Sequence, residues 1–195
     1  MMIRLAEGKL RTKFGTFSEM LYYNGLANAV ALTMGDIAGA ENVLCRVHSS
    51  CLPAHAFNSI ECDCREQMEM AQFFIEQNGA GAIIWLEQEG RGNGLLARIS
   101  SANLKEQGLS QSEAYAALGF SEDARNFAPA VEILRDLQVK SITLLTNNPQ
   151  KAQELAEAGI AVAGVQHLAI DPAENPYLLQ AYRDKINRGH AISLE

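Results

Sequence analysis

Three cysteines stand close together in the chain, as Cys51, Cys62 and Cys64 in a C-x10-C-x-C arrangement. Three thiolates can fill three positions of a tetrahedral zinc ion and leave the fourth for water, as in catalytic zinc sites. The alternative is three small core residues, because free cysteine is among the most buried residue types. The polar Asp63 between Cys62 and Cys64 favours the metal. Cys45 lies in an apolar, strand-like run, and we expect it in the core.

A glycine-rich segment, QEGRGNGLL at residues 88–96, follows an apolar run and precedes a predicted helix. Glycines there let the backbone approach a ligand closely, and a helix N-terminus offers free N–H groups to an anion. Arg91 can bind phosphate through two parallel hydrogen bonds. The segment matches neither the Walker pattern nor G-x-G-x-x-G, so an ordinary glycine-rich turn is an equally good interpretation.

Other polar residues are ambiguous when each is taken alone. Arg46 and His48 lie on one face of a strand-like run, where a solvated arginine and a structural histidine are the commoner explanations. Four more occupy loops or strand ends, namely Asp123, Arg125, Thr146 and Lys151. Open α/β sheets bind ligands at strand ends, which favours a functional role for these four residues.

Two kinds of sequence pattern predict the strands and helices that position these residues. In the first fifty residues, period-2 alternation between turn residues predicts an antiparallel β-rich segment. From Arg65 onward, helical and strand patterns alternate, which predicts an α/β layered arrangement. The predicted helices are Arg65–Gln77, Gly94–Glu106, Ser110–Leu118 with a Ser110-x-x-Glu113 capping box, Ala128–Leu137, Pro149 to Gly159 and Asn175–Gly189; the predicted strands are Ala80–Leu86, Ser141–Leu145 and Ile160–Val165.

We therefore expect a mixed α+β and α/β fold in a single domain of residues 1–195. Its β-rich part, residues 1–64, carries the three cysteines, and its α/β part covers residues 65–195. With 48% hydrophobic and 20% charged residues, the composition is that of a globular protein.

The charge balance and the hydropathy exclude several classes of protein. Sixteen Lys and Arg against 23 Asp and Glu give a net charge of −7, so a nucleic-acid-binding surface is not expected. No run approaches the roughly 18 apolar residues of a membrane helix, and the N-terminus lacks a signal-peptide core. These features predict a cytoplasmic protein, in which four cysteines indicate metal binding or reactive thiols rather than disulfides.

Six short motifs follow one another in the chain. They are RVHSSC at 46–51, CDC at 62–64 with Gln67, EQEGRGNGLL at 87–96, LGFSEDARNF at 118–127, LLTNNPQK at 144–151, and a C-terminal NPYL…K…GH. In this order they resemble GTP cyclohydrolase II, the enzyme that opens riboflavin biosynthesis, over nearly the whole chain. Six ordered motifs are far more specific than any one of them alone.

The resemblance implies a role for each matching residue. Cys51, Cys62 and Cys64 match the ligands of one zinc ion per chain. Asp123 matches the proton acceptor, and Arg125 matches the nucleophile that displaces diphosphate. Because a guanidinium is essentially always protonated, we describe Arg125 as the residue that organises phosphoryl transfer. The residues that match substrate contacts are Arg46, Val47, His48, Ser49, Ser50, Gln67, Glu89, Gly90, Arg91, Gln111, Thr146 and Lys151.

The resemblance also implies the chemistry. Zinc lowers the pKa of its water toward about 7, and the hydroxide attacks C8 of guanine. Formate then leaves, while magnesium and basic side chains support the departure of diphosphate. The expected product is 2,5-diamino-6-ribosylamino-4(3H)-pyrimidinone 5′-phosphate. The expected partner is GTP or a related purine nucleotide, with no nucleic acid and no membrane, and the expected assembly is a homodimer.

The chain departs from the family pattern at several positions near the expected pocket. These are Ser50 in place of a carboxylate, Pro53-Ala54-His55 in place of TGD, Asn93 in place of an apolar residue, Ala102 in place of a tyrosine, and Gln111 in place of a threonine. A misplaced catalytic hydrogen bond can cost about 100-fold in rate. The lost tyrosine therefore raises the alternative of a divergent paralogue that stops at the formamidopyrimidine nucleotide or uses another purine nucleotide.

Two further alternatives follow. Asn103 or Tyr115 can replace the missing hydroxyl, in which case the standard product forms. The protein can also be a non-catalytic nucleotide-binding module, because a fold and its ligands do not establish turnover.

Overall fold

The computed structural model of the chain describes residues 1–168, 170–172 and 175–192. Its central feature is a seven-stranded sheet with the strand order β1-β2-β3-β5-β4-β6-β7. The strands are β1 (Ile3–Thr12), β2 (Gly15–Tyr23), β3 (Asn28–Met34), β4 (Val43–Ser49), β5 (Gly81–Leu86), β6 (Ser141–Leu145) and β7 (Ala161–Gln166). The predicted mixed α/β class is thereby confirmed.

The sheet combines antiparallel and parallel pairing. Strand β1 pairs antiparallel with β2, β2 with β3, and β3 with β5. In contrast, β4 and β7 each pair parallel to β6. The prediction that the whole N-terminal segment is antiparallel was therefore wrong for β4. That strand is almost continuously buried, which is typical of a strand covered on both faces, as in parallel sheets.

Eight helices connect and cover the strands in the described part of the chain. They are α1 (Leu52–Phe57), α2 (Cys64–Asn78), α3 (Gly94–Ser100), α4 (Ala102–Glu106), α5 (Gln111–Ala117), α6 (Ala128–Asp136), α7 (Pro149–Glu157) and α8 (Pro176–Asn187). The sequence patterns did not predict the six-residue α1. Among the residues the structure describes, no helix is both long enough and apolar enough to cross a bilayer.

The helix predicted over Gly94–Glu106 is divided in two at Ser101. This buried serine donates its hydroxyl to the carbonyl of Arg98 (2.8 Å) and accepts a hydrogen bond from the Gln111 side chain (2.9 Å). A serine hydroxyl that bonds back to the preceding turn competes with the helical ladder and bends the helix. The predicted capping box of α5 is confirmed, with Ser110 and Glu113 bonded reciprocally.

The chain divides into two compact units. Unit 1 comprises Met1–His48, Glu66–Leu86 and Phe127–Leu168, and it contains almost the whole sheet. Unit 2 comprises Ser49–Arg65, Glu87–Asn126 and the described residues from Ile170 onward, and it contains α1, α3 to α5, α8 and the loops that join them. The single-domain boundaries expected from the sequence stay a prediction.

The core of unit 1 lies on both faces of its sheet. Ala82, Ile84 and Leu86 of β5 pack in a cluster with α6 and α7, whereas the alternate residue Ile83 packs with Ile75 of α2. Alternate residues of a strand point to opposite faces, so β5 is apolar throughout because helices cover it on both sides. Cys45 is fully buried in the larger cluster, which confirms its expected place in the core.

Candidate functional site

The three cysteines come together in unit 2. Cys51 immediately precedes α1, Cys64 is the first residue of α2, and Cys62 lies in the loop between these helices. Their three Sγ atoms lie within 4.8 Å of one another, and Cys51 Sγ and Cys62 Sγ are 3.7 Å apart. Two thiolates about 2.3 Å from a tetrahedral zinc ion lie roughly 3.8 Å apart, so the donor set fits this metal. The group could hold a metal ion.

The thiols also influence one another's protonation. Hydrogen bonds from Cys51 and Cys64 lower the pKa of Cys62 well below that of an ordinary thiol. Contact with Cys62 and burial raise the pKa of Cys51, and contact with Cys51 and then Cys62, together with burial, raises the pKa of Cys64. One thiolate stabilised by two thiols is a soft, anionic donor set, which is the chemistry that zinc prefers in proteins.

Glu89 connects the glycine-rich loop to the residues that follow Cys51. Its Oε2 accepts a hydrogen bond from the backbone N–H of Leu52 (2.6 Å), and its Oε1 accepts one from the N–H of Gly90 (2.9 Å). Both carboxylate oxygens therefore bind backbone, which fixes the start of the glycine loop against the start of α1.

The glycine loop adopts a left-handed backbone at successive residues. Gly90, Arg91 and Gly92 have φ values of 60°, 56° and 84°. A non-glycine residue in this region is uncommon, and Arg91 is held there by its side chain. The guanidinium donates to Ser112 Oγ (2.8 Å) and Asp184 Oδ2 (2.7 Å). Burial and the neighbouring Arg188 lower the pKa of Arg91 from its ordinary value.

Replacement of Gly92 by alanine tests the packing of this loop. An added Cβ would lie 2.5 Å from the carbonyl oxygen of Ala124 and 2.9 Å from the nitrogen of Arg125. Gly94 has a similar φ of 85°, but its added Cβ would meet no heavy atom of the described chain within 4 Å beyond its own neighbours. Gly94→Ala is therefore the matched control for the backbone strain, which costs about 1–2 kcal/mol.

We expect Gly92→Ala to lower the free energy of unfolding by about 1–3 kcal/mol more than Gly94→Ala, because the backbone at Ala124 must move. Urea denaturation of the two variants measures the difference. Equal destabilisation would show that the glycine loop does not pack against residues 124–125.

Asp123 and Arg125 form a bidentate ion pair in unit 2. Arg125 Nε and Nη2 lie 2.8 and 2.6 Å from the two carboxylate oxygens of Asp123, and Arg188 Nη2 lies 2.8 Å from Oδ2. Burial by itself would raise the pKa of Asp123. The hydrogen bonds and charges of Arg125 and Arg188 outweigh it, and the pKa falls well below its usual range. The carboxylate is therefore ionised at neutral pH.

His190 lies among cations of the same unit. Burial, together with charge repulsion from Lys185, Arg188, Arg125 and Arg91, lowers its pKa to about 4. The imidazole is therefore neutral at pH 7.

This histidine should make the protein sensitive to acid. An unfolded chain takes up a proton on His190 near its ordinary pKa of 6.5, whereas the folded chain resists protonation down to about 4. Stability therefore falls as the pH drops from 6.5 toward 4, because the unfolded state binds more protons. We expect His190→Gln to reduce this loss, as measured by thermal unfolding across the window. The same substitution at the exposed His167 is the control, and parallel curves for wild type and His190→Gln would contradict the expectation.

In unit 1, several residues that match nucleotide contacts of the family form one network of hydrogen bonds. Arg46 donates to the carbonyl of Leu145 (2.8 Å) and to Gln67 Oε1 (2.6 Å), and its Nη2 lies 3.3 Å from His48 Nδ1. The His48 ring stacks on Trp85 with centroids 5.4 Å apart. Strand β4 and helix α2 thus hold polar groups in a fixed arrangement.

Lys151 and Thr146 are also buried in unit 1. Lys151 Nζ donates to the carbonyl of Val47 (2.7 Å) and lies 5.1 Å from the centroid of the Phe127 ring. Thr146 Oγ1 accepts a hydrogen bond from the N–H of Asn148 (3.1 Å), in the turn that leads into α7. A buried ammonium group is costly to desolvate, so its position at Val47 indicates a role for its charge.

The residues at which the chain departs from the family pattern differ in their surroundings. Within the described residues, the buried hydroxyl of Ser50 has no hydrogen-bond partner, and nor does that of its neighbour Ser49, which matches the family pattern; this is uncommon for buried polar atoms. Gln111 donates to Ser101 inside unit 2. Ala102 is exposed, whereas Tyr115 is buried, and its hydroxyl would lie 3.2 Å from a Cβ placed on Gly90.

Sequence reasoning assigned no role to the side chains of α8 or to Arg188, which caps its C-terminus. Tyr182, Asp184, Lys185 and Arg188 all contact residues of the motifs described above. The available signal was a helix whose charged residues recur at three- and four-residue spacing, but that pattern does not identify partners elsewhere in the chain.

Comparison with known proteins identifies relatives across nearly the whole chain. The sequence model of the family GTP cyclohydrolase II matches residues 3–167. The GTP cyclohydrolase-2 of Neisseria meningitidis serogroup A is 41% identical over 191 residues, which cover 97% of this chain and 96% of that protein. The GTP cyclohydrolase-2 of Actinobacillus succinogenes is 40% identical over 97% of this chain and 88% of its own length.

Other relatives are longer than this chain. The riboflavin biosynthesis protein RibBA of Chlorobium phaeovibrioides is 38% identical over 97% of this chain, which spans 47% of that protein. Among solved structures, RibBX, a two-domain 3,4-dihydroxy-2-butanone 4-phosphate synthase from A. baumannii, is 18% identical with a TM-score of 0.48, covering 87% of this chain and 40% of that one.

Proposed function

The chain belongs to the GTP cyclohydrolase II family, and from this premise we propose that it is a zinc-dependent hydrolase that opens the imidazole ring of GTP at C8. The proposed products are formate, diphosphate and 2,5-diamino-6-ribosylamino-4(3H)-pyrimidinone 5′-phosphate. The observation that carries the proposal is the group of three thiols in unit 2, in a chain that aligns with proteins named GTP cyclohydrolase-2 along nearly their whole length.

Cys51, Cys62 and Cys64 would hold the zinc ion. When bound there, zinc supplies a Lewis acid that makes a water nucleophilic at neutral pH. Other residues of unit 2 hold the loops around the three cysteines in position. Glu89 uses both carboxylate oxygens to fix the glycine loop to the start of α1, so the loop and Cys51 keep a defined separation. A reaction that depends on alignment within about 1 Å needs such supports.

The phosphate chemistry is assigned to Arg91 and Arg125 of unit 2. Each guanidinium is held by a carboxylate, Asp184 for Arg91 and Asp123 for Arg125. A planar guanidinium group can bind two oxygens of one phosphate through parallel hydrogen bonds. It also stabilises the negative charge that develops on diphosphate as it leaves. Magnesium with the nucleotide phosphates is part of the proposal.

Asp123 is proposed as the proton acceptor. A carboxylate held by two arginines is a weak base, because protonation would break favourable charge contacts. If the substrate phosphates draw Arg125 away, the Asp123 pKa rises and its carboxylate becomes able to accept a proton. The ion pair thus couples phosphate binding to proton transfer.

Nucleotide contacts in unit 1 are assigned to Arg46, His48, Gln67, Thr146 and Lys151. Val47 of unit 1 and Ser49, Ser50, Gly90 and Gln111 of unit 2 complete the proposed set. The buried hydroxyls of Ser49 and Ser50 support it, because such groups are satisfied by a ligand or a water molecule.

The test is to incubate the zinc-loaded protein with GTP and magnesium, identify the products by mass spectrometry and assay formate in parallel. Formate together with the diaminopyrimidinone phosphate is the expected result. A sample without enzyme and a sample stripped of metal by a chelator are the controls.

Other outcomes would replace the proposal. A product that keeps the formyl group would show that the reaction stops at the formamidopyrimidine nucleotide, and it would implicate Ala102. Unchanged GTP with turnover of another purine nucleotide would show a different substrate. Zinc and nucleotide binding without any product would show a non-catalytic binding module.

A further inference from the structure

Helix α8 and Arg188, the residue that caps its C-terminus, contact three separate loops of unit 2 through side chains on one side of the helix. Tyr182 Oη and Lys185 Nζ lie 2.9 and 2.5 Å from carboxylate oxygens of Asp63, the residue between Cys62 and Cys64 in the sequence. Asp184 Oδ2 accepts a hydrogen bond from Arg91 of the glycine loop (2.7 Å). Arg188 Nη2 donates to Asp123 Oδ2 (2.8 Å).

The spacing of these residues explains how one helix reaches three loops. Residues three or four apart lie one above another on a helix, so Tyr182 and Lys185 share one row, and Asp184 and Arg188 share a neighbouring row. Arg183 lies between them in sequence but on the other side of the helix, and it is exposed. The contacts are therefore confined to one side of α8.

These ion pairs differ from ordinary surface pairs in their burial. The side chain of Asp63 is 1% exposed, those of Arg91 and Asp184 are 18% and 11% exposed, and those of Arg188 and Asp123 are 21% and 23% exposed. Exposed ion pairs contribute little to stability, but removal of one partner of a shielded pair leaves an uncompensated charge. Each contact of α8 therefore constrains the loop that it meets.

We propose that Arg188 is a positioning residue for Asp123. It is part of a clamp in which α8 and Arg188 hold three loops at fixed positions relative to one another: the loop that contains Asp63, the glycine loop and the 121–126 loop. The proposal rests on the proposed function, since it assigns a role in that reaction. Arg188 and Arg125 donate to the same oxygen of Asp123, at 2.8 and 2.6 Å. If Arg125 turns to a phosphate group, Arg188 still holds the carboxylate in place.

The role predicts a particular kinetic signature. Arg188 contacts the carboxylate of Asp123, so its loss should disturb the orientation of Asp123 during the reaction rather than the binding of GTP. We expect Arg188→Ala to lower kcat by about 10- to 100-fold, with KM for GTP changed by less than about 3-fold. Arg188→Lys keeps the charge but not the planar geometry, and it should recover part of kcat.

A second measurement does not depend on activity. The N–H of Ala124 donates to the carbonyl of Arg91 (2.8 Å), and the N–H of Arg125 lies 3.3 Å from Asp123 Oδ1. We expect both amides to exchange hydrogen faster in full-length Arg188→Ala than in wild type. Arg183→Ala, on the exposed side of the same helix, is the matched control and should change neither readout.

The outcomes separate the two proposals. If wild type does not convert GTP, the proposed function fails, while the exchange data still test the clamp. A rise in KM at unchanged kcat would show that Arg188 binds the nucleotide, which overturns the positioning role. Unchanged exchange at Ala124 and Arg125 in Arg188→Ala would also overturn it, whatever the thermal stability of the variant.

Discussion

Cys64→Ser is expected to remove the bound zinc and to lower GTP turnover by more than about 100-fold, because three protein ligands are the minimum for an open catalytic zinc site. Serine is nearly isosteric with cysteine, but its hydroxyl is a poor zinc ligand at neutral pH. The three Sγ atoms lie within 4.8 Å of one another, so each thiol is needed to complete the group. Elemental analysis of the purified variant, together with the formate assay, measures both effects.

Cys45→Ala is the matched control for this experiment. Cys45 is a fully buried cysteine in β4, and burial raises the pKa of its thiol to about 12, as expected for a core residue. The substitution should leave one zinc ion per chain and near-normal turnover. Zinc retention in Cys64→Ser, or zinc loss in Cys45→Ala, would show that the metal is held elsewhere.

Asp123→Asn is expected to lower kcat by about 100-fold or more, the usual contribution of a positioned acid or base. The asparagine side chain has nearly the same shape and can still accept hydrogen bonds from Arg125 and Arg188, but it cannot take up a proton. Affinity for GTP should change by less than about 3-fold, since the arginines that would meet phosphate remain. Steady-state kinetics and equilibrium binding of GTP separate the two effects.

Glu122→Gln provides the comparison, because Glu122 is the exposed acidic neighbour of Asp123. This variant should keep wild-type kinetics. If Asp123→Asn retains kcat but binds GTP more weakly, the carboxylate serves to orient Arg125 and does not accept a proton.

The structure also bears on the unusual role that the family resemblance gives to Arg125. Its guanidinium forms two short hydrogen bonds to Asp123. The two bonds hold the planar guanidinium in one orientation. This arrangement suits a group that binds and orients phosphate, which is the role we assign to Arg125.

Much of the molecule could be predicted from local patterns. The helix starts at Ser110 and Asn175 follow from capping side chains a few residues from their partners, and both caps form. The alternation of strands and helices gave the mixed fold class, and the apolar run at residues 80–86 predicted the strand that the structure shows as β5. The order of six motifs identified the family, because motif residues and their spacing are properties of the chain alone.

Contacts between distant residues were beyond such reasoning. Asp184 pairs with Arg91 across 93 positions, Arg188 with Asp123 across 65, and Lys185 with Asp63 across 122. The parallel pairing of β4 with β6 likewise joins segments about a hundred residues apart. Local periodicity can place charged residues on one side of α8, but it cannot say which loops meet that side.

The sequence by itself therefore determined the family, the three thiols that could hold a metal ion and most helices and strands, because each depends on residue types at short or fixed spacing. Only the tertiary structure decided that α8 brings partners to Asp63, Arg91 and Asp123. An ion pair is stabilised by proximity and shielding from water, and for residues far apart in the chain both are set only when the chain has folded.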